Sequence, residues 1–181
     1  MDLPNRKPTR LKTYDYSTPG AYFITVCTRE KRCILSRIVK RQSVSVGALH
    51  EAPAVELVLT PEGKCVRRYI EAVPSRWPMV HMDRYVIMPN HIHLLLSVES
   101  GRAIRESPLQ AGGKRSLISN VIGYLKMNSS RDIHAIRPEE IVWQRSFYDH
   151  VIRGEDDYRT VAEYIDGNPM KWSEDRFYIP D

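Results

Sequence analysis

The sequence predicts an α+β domain in which helices pack over a largely antiparallel sheet. Three observations carry that prediction. Residues 21–28 are rich in β-branched and aromatic side chains, as buried strands are, and residues 80–87 and 91–98 are further strand-like runs. Helical patterns with recognisable start signals interleave with them. The turn-forming Met88-Pro89-Asn90 joins two of the strands directly, as a hairpin or tight corner does.

Taken in order, residues 1–20 are basic and broken by Pro4, Pro8 and Pro19, which reads as an irregular arm. Residues 21–28 (AYFITVCT) follow Pro19-Gly20 as a strand. Residues 33–59 read as short strands and turns around Gly47 and Pro53. Thr60-Pro61-Glu62 opens a helix with a capping hydroxyl, a proline in the first turn and an acid near the positive end. Pro74 ends it. After the strand pair, Gly101, Pro108 and Gly112-Gly113 mark a polar loop, and residues 116–128 carry Leu117, Val121, Tyr124 and Leu125 at helical spacing. Residues 143–153 read as a further strand. Glu155-Asp156-Asp157 then opens a last helix that ends near Gly167-Asn168-Pro169. The order strand, helix, strand pair, helix, strand, helix is that of a ferredoxin-like domain.

Composition bounds the function. The chain of 181 residues suits one domain with extended ends, and it carries 27 Lys+Arg against 22 Asp+Glu, a net charge of +5. At 42% hydrophobic and 27% charged it reads as an ordinary globular chain. No apolar run is long enough for a membrane helix, and MDLPNRKPTRLK lacks the apolar middle of a secretory signal. Three cysteines, Cys27, Cys33 and Cys65, cannot pair completely and form no C-x-x-C, which fits a reducing cytoplasm. The basic balance is compatible with a polyanionic partner such as nucleic acid.

The chemistry concentrates in two places. In residues 91–98, alternation sends Ile92, Leu94, Leu96 and Val98 to one face and His91 and His93, side by side, to the other. Two neutral imidazoles can share one divalent metal and leave coordination positions open. Alternating His-x-His-x-His, as a histidine-triad hydrolase needs, is broken by Leu95, and a structural zinc site would have to improvise with His81 or Cys65. In the last helix, Tyr158, Val161, Ala162 and Ile165 form the apolar stripe, with Tyr164 off its centre. Asn168 stands four residues on, at the helix end that Pro169 imposes. A tyrosine with a pKa of about 10 is a poor nucleophile unless a metal polarises its target, as in phosphotyrosine formation with a nucleic-acid strand.

On these residues the chain resembles the single-tyrosine transposases of the IS200/IS605 type, closest to the REP-associated branch, within the HUH endonucleases. The resemblance runs through YDYSTPGAYFITVCT (14–28), LTPEGKCVRRYIEAVP (59–74), RYVIMPNHIHLLL (84–96), SLISNVIGYLKMNSSRDI (116–133), VWQRSFYDHVIR (142–153) and YIDGNPMKW (164–172). It implies a ferredoxin-like fold with a basic arm at 1–20, a catalytic domain at 21–172 and a tail at 173–181. It implies a divalent metal, Mg²⁺ or Mn²⁺, on His91 and His93. Tyr164 would be the nucleophile, in preference to Tyr124 in G-Y-L-K. Several relatives have a glutamine ligand where this chain has the shorter Asn168, with His150 and Asp166 as substitutes.

The activity implied is cutting and rejoining of single-stranded hairpin DNA through a 5′-phosphotyrosine intermediate, without ATP. Arg6, Lys7, Arg10, Lys12, Lys114, Arg115, Lys126, Arg131 and Arg145 are the candidate phosphate contacts, and Tyr14, Tyr16 and Trp143 the candidate stacking surfaces. A homodimer that exchanges its last helix is one arrangement the resemblance allows. Two other readings share these residues: a DNA-binding repressor without catalysis, and a replication initiator or relaxase.

Overall fold

A computed structural model describes residues 18–40, 55–99 and 116–180. The basic arm before residue 18, with Arg6, Lys7, Arg10, Lys12, Tyr14 and Tyr16, lies outside the described residues, as do Lys114, Arg115 and the Gly112-Gly113 loop.

The strands are β1 (Gly20–Cys27), β2 (Ser36–Lys40), β3 (Val55–Leu59), β4 (Val80–Ile87), β5 (His91–Val98) and β6 (Tyr148–Val151). The helices are α1 (Pro61–Glu71), the single turn α2 (Val73–Arg76), α3 (Leu117–His134) and α4 (Glu155–Gly167). A 3-10 segment follows over Asn168–Glu174. The main sheet has the order β4-β5-β1-β6 with every neighbouring pair antiparallel. Leaving aside the separate β2–β3 pair, this is the ferredoxin-like arrangement expected from the element order.

β5 lies inside the sheet, hydrogen-bonded to β1 and β4, and both of its faces are covered. One face packs Ile92, Leu94, Leu96 and Val98 with Tyr22, Ile24 and Val26 of β1 beneath α1 and α3. The other face packs Leu95 with Val86, Met88, and Val161 and Ile165 of α4. The two-residue period therefore sorts β5 into an apolar core under two helices and a face under α4 that holds the histidines.

Local chemistry sets the helix ends. Thr60 caps α1: its hydroxyl oxygen accepts from the Gly63 N–H at 3.0 Å, a cap worth about 1 kcal/mol. The same hydroxyl donates to the Leu35 carbonyl at 2.8 Å, tying α1 to the approach to β2. Helix α3 runs beyond the expected end at residue 128. Asn128 and Ser129 bond back to the carbonyls of Tyr124 and Leu125, and Ser129 Oγ also accepts from Trp143 Nε1, so the polar run stays helical.

The strand expected over residues 143–153 is shorter. Trp143 makes only an isolated bridge to Thr28, and regular pairing begins at Tyr148. The cause is Lys126, whose ammonium gathers the carbonyls of Gln144, Arg145 and Ser146. Three successive carbonyls turned to one cation cannot also serve a ladder. No helix among the described residues is long and apolar enough to cross a membrane.

Candidate active site

The turn before β5 fixes the first histidine. Asn90 donates from Nδ2 to the Phe177 carbonyl at 2.8 Å, which leaves its Oδ1 to accept from His91 Nδ1 at 2.8 Å. This bond network assigns the proton to Nδ1 and leaves His91 Nε2 with a free lone pair. Thr28 holds the turn itself, with its N–H and its hydroxyl both donating to the Asn90 carbonyl at 2.9 Å.

His93 is set by the neighbouring strand. The β1–β5 register places Thr25 opposite His93, and their side chains meet at 2.8 Å between Oγ1 and Nδ1. The Nε2 atoms of His91 and His93 stand 2.9 Å apart. Two bare lone pairs cannot face each other at that distance. In the metal-free protein His93 carries its proton on Nε2 and donates to His91, with Thr25 donating to Nδ1; with a cation bound, both Nε2 lone pairs would be its ligands and Thr25 would accept from Nδ1–H. The hydroxyl serves either arrangement, because a hydroxyl can donate or accept.

Both imidazoles are neutral. Burial pushes His91 down to about 4, with Asp175 partly opposing, and burial and then His91 hold His93 well below the usual range. Neutral imidazole is the form that binds metal.

Helix α4 and the segment after it complete the site. Tyr164 projects from the last turns of α4 with 42% of its surface exposed, and its hydroxyl is 3.4 Å from His93 Nε2. Its ring meets Phe23 edge-on at 6.0 Å and His93 at 5.2 Å. The hydroxyl donates to Asp175 Oδ2 at 2.9 Å, and the Asn168 amide donates to the same oxygen at 2.9 Å. Burial and then the Asp175 carboxylate push the Tyr164 hydroxyl up to about 12. Burial raises Asp175 itself, but the Asn168 amide, the Phe177 N–H, His91 and Tyr164 outweigh that and hold it below the usual carboxylate range.

These residues fit a divalent cation. One nitrogen each of His91 and His93 and one carboxylate oxygen of Asp175 lie within 4.8 Å of one another. Asn168 Oδ1 is buried without a hydrogen-bond partner, an unused acceptor beside that group. The C-terminal end of α4, the end of a helix that favours positive charge, closes the site.

Asp175 was not visible from the sequence. It lies in an irregular segment with no periodicity, within the stretch taken as a tail, yet that stretch packs into the site. Phe177 is buried, its ring 4.7 Å from that of His91 and 6.1 Å from that of His93. Asn90 was also missed, although Met88-Pro89-Asn90-His91 contained it.

The other sequence candidates fall elsewhere. Asp166 pairs with Arg84 at 3.8 Å and His150 with Asp157 at 2.9 Å, so neither joins the cluster. Tyr124 packs edge-on against Tyr69 and Trp77 under α1, on the opposite side of the sheet. Trp143 is 7% exposed and bonded to Ser129, which corrects its assignment as a stacking surface: its faces are spent on the core. Lys126 is likewise corrected as a phosphate contact, because its ammonium is held by three carbonyls. Arg131 is exposed but donates to the Tyr69 hydroxyl and pairs with Asp132. Arg145 is exposed.

Helix α4 is anchored on its own chain's sheet. The Asp157 carboxylate accepts from the Arg153 N–H at 2.8 Å and from His150, and Gly154 turns the chain with φ +99°, a conformation L side chains rarely adopt. The histidines, Tyr164 and Asp175 are therefore brought together within one chain.

No family model matches the chain. An uncharacterised protein of Haemophilus influenzae is 31% identical over 187 residues, covering 98% of this chain and 95% of that protein. A second H. influenzae protein, provisionally named a REP-associated tyrosine transposase, is 33% identical over 88 residues; the match spans 47% of this chain and 47% of that relative's length. A solved REP-associated tyrosine transposase bound to a REP hairpin has the same fold, with TM-score 0.58 and 20% identity over 90% of this chain and 73% of that one. About half of the chain is thus similar in sequence to a REP-associated tyrosine transposase, and its fold is that of the solved one. The phrase Met88-Pro89-Asn90-His91-Ile92-His93 is physically one unit: the turn fixes Asn90, and Asn90 fixes the tautomer of the first histidine.

Proposed function

We propose that this chain is a metal-dependent endonuclease and strand transferase that cuts and rejoins single-stranded DNA beside a hairpin. The observation that carries the reading is the Tyr164 hydroxyl 3.4 Å from His93 Nε2, at the edge of the His91, His93 and Asp175 cluster. Charge and the hairpin-bound relative support DNA as the substrate.

His91 and His93 would hold Mg²⁺ or Mn²⁺, with Asp175 and the unused Asn168 Oδ1 as further oxygen donors. Such a cation supplies Lewis-acid polarisation of a phosphodiester oxygen. The protein's own groups do the rest. Phe23 and His93 hold the Tyr164 ring, fixing its line of approach. Asp175, already accepting the Tyr164 hydrogen bond, takes the proton as the phenolic oxygen attacks phosphorus. The Tyr164 O–P bond forms, the P–O3′ bond breaks, and the departing 3′-oxygen takes a proton from water. The product is a 5′-phosphotyrosine and a free 3′-hydroxyl. A 3′-hydroxyl can reverse the step, with Asp175 returning the proton, so the bond energy is kept and no ATP is consumed.

Among the surface candidates, Arg145 and the arm residues Arg6, Lys7, Arg10 and Lys12 would follow phosphates, with Tyr14 and Tyr16 stacking on unpaired bases. Incubation with labelled hairpin DNA from the sequence flanking the gene tests the reading on a denaturing gel. A covalent protein–DNA band that needs Mn²⁺ and is lost in EDTA is expected. Hairpin binding with no such band across the flanking substrates would instead favour a repressor.

A further inference from the structure

Arg176 lies between the two residues by which the C-terminal segment enters the site. Asp175 precedes it, and the buried Phe177, packed on both histidine rings, follows. Its guanidinium stands over the Phe177 ring at 4.5 Å and over Tyr148 of the edge strand β6 at 5.4 Å, while the side chain remains exposed. The neighbouring carboxylate is already engaged: Asp175 Oδ2 accepts from Tyr164 and Asn168, and the Phe177 N–H donates to Oδ1. Among the described residues no ion pair is recorded for the guanidinium.

Its position is held by other means. Lys31 Nζ donates to the Arg176 carbonyl at 3.3 Å and itself lies 5.5 Å from the Phe177 ring centre. Two cations thus flank one ring that packs against the metal-binding histidines. An exposed guanidinium with no carboxylate partner among the described residues, aimed by aromatic faces beside the proposed phosphotransfer site, is suited to a phosphate, because its planar fork matches two phosphate oxygens.

We propose that Arg176 is a further catalytic residue of this chain, gripping the non-bridging oxygens of the scissile phosphate while Tyr164 attacks. This rests on the function proposed above. The grip matters most as the phosphorus becomes pentavalent and those oxygens gather charge. Phe177 and Tyr148 set its direction, and Lys31 adds positive potential on the same side.

The test uses the full chain with Mn²⁺ and the flanking hairpin DNA. The wild-type adduct maps the scissile linkage, and single-turnover adduct formation is then compared on the normal phosphate and on a methylphosphonate at that linkage, which lacks one charged oxygen. Arg176→Ala is expected to slow adduct formation at least tenfold on phosphate while matching wild type on methylphosphonate, with Arg176→Lys in between. In a Tyr164→Phe background, Arg176→Ala should lower the salt slope of DNA binding by about 0.7, one single-strand phosphate contact. A wild-type rate in Arg176→Ala, or an equal loss on both substrates, overturns the role. Absence of any wild-type adduct overturns the function it rests on, and this inference with it.

Discussion

The Tyr164 hydroxyl and the Asp175 carboxylate, eleven residues apart in the chain, meet at 2.9 Å. The contact links α4 to the segment that follows it and, after burial, helps keep the Tyr164 hydroxyl, the proposed nucleophile, protonated. It also makes Asp175 accountable to two measurements. Asp175→Asn keeps the size and an acceptor for the Phe177 N–H, but removes the charge offered to a cation and the base offered to Tyr164. Mn²⁺ should then raise the melting temperature less than in wild type, with an apparent affinity 10- to 100-fold weaker, and adduct formation should slow by more than tenfold. Wild-type Mn²⁺ affinity in this variant would remove Asp175 from the metal site.

Thr25 carries the second prediction. Its hydroxyl is the partner of His93 Nδ1 at 2.8 Å, inside the sheet. Thr25→Val keeps the shape and the β-branch but leaves that nitrogen unpaired, which costs about 1–3 kcal/mol of stability. Because the lost bond also orients the imidazole, Mn²⁺ binding measured by titration should weaken by about 10- to 100-fold. An equal loss of stability without a loss of Mn²⁺ affinity would reduce Thr25 to a packing residue.

Acid should destabilise the metal-free protein through the histidines. His91 is held down to about 4 in the fold, chiefly by burial, whereas in the unfolded chain it titrates near the ordinary 6.5. As pH falls below about 6.5 the unfolded state takes up the proton first, so stability is lost between about pH 6.5 and 4, by on the order of 3 kcal/mol from this residue. Melting temperatures measured across that range in EDTA should fall, and His91→Asn should flatten the fall. A pH-independent melting temperature there would contradict the buried neutral pair.

Gly63 offers a test of the scaffold apart from the chemistry. A Cβ at this position would stand 1.9 Å from the Leu35 carbonyl oxygen, the same carbonyl that accepts from the Thr60 N–H and hydroxyl. Gly63→Ala must therefore push α1 off the approach to β2, although alanine is intrinsically the better helix former. A loss of more than about 2 kcal/mol in denaturant unfolding is expected, against a gain of about 1 kcal/mol from helix propensity alone.

What could be read in the sequence follows a physical rule. β4, β5, α1 and α4 are legible because each couples periodicity to an unambiguous terminus, and the alternation of β5 alone places His91 and His93 on the face that α4 covers. Tyr164 is legible as a residue off the apolar stripe of its helix. Asp175 and Phe177 are not, because an irregular segment has no period to betray which side chains turn inward. Trp143 and Lys126 mislead for a different reason. An aromatic and a lysine in a basic chain suggest DNA, yet Ser129 of α3 claims the indole N–H, and three carbonyls of the loop before β6 claim the ammonium. Such long-range polar pairings are decided by tertiary packing, which local pattern does not encode.

The central claim is that Tyr164, beside His91 and His93, is the nucleophile. The most direct measurement is peptide mass spectrometry on the covalent adduct formed with the flanking hairpin DNA in Mn²⁺, run alongside Tyr164→Phe and Tyr124→Phe. The account predicts a nucleotide-modified peptide bearing Tyr164 in wild type and Tyr124→Phe, and no adduct in Tyr164→Phe although that variant still binds the DNA. An adduct of wild-type yield in Tyr164→Phe, or modification at Tyr124, would contradict it.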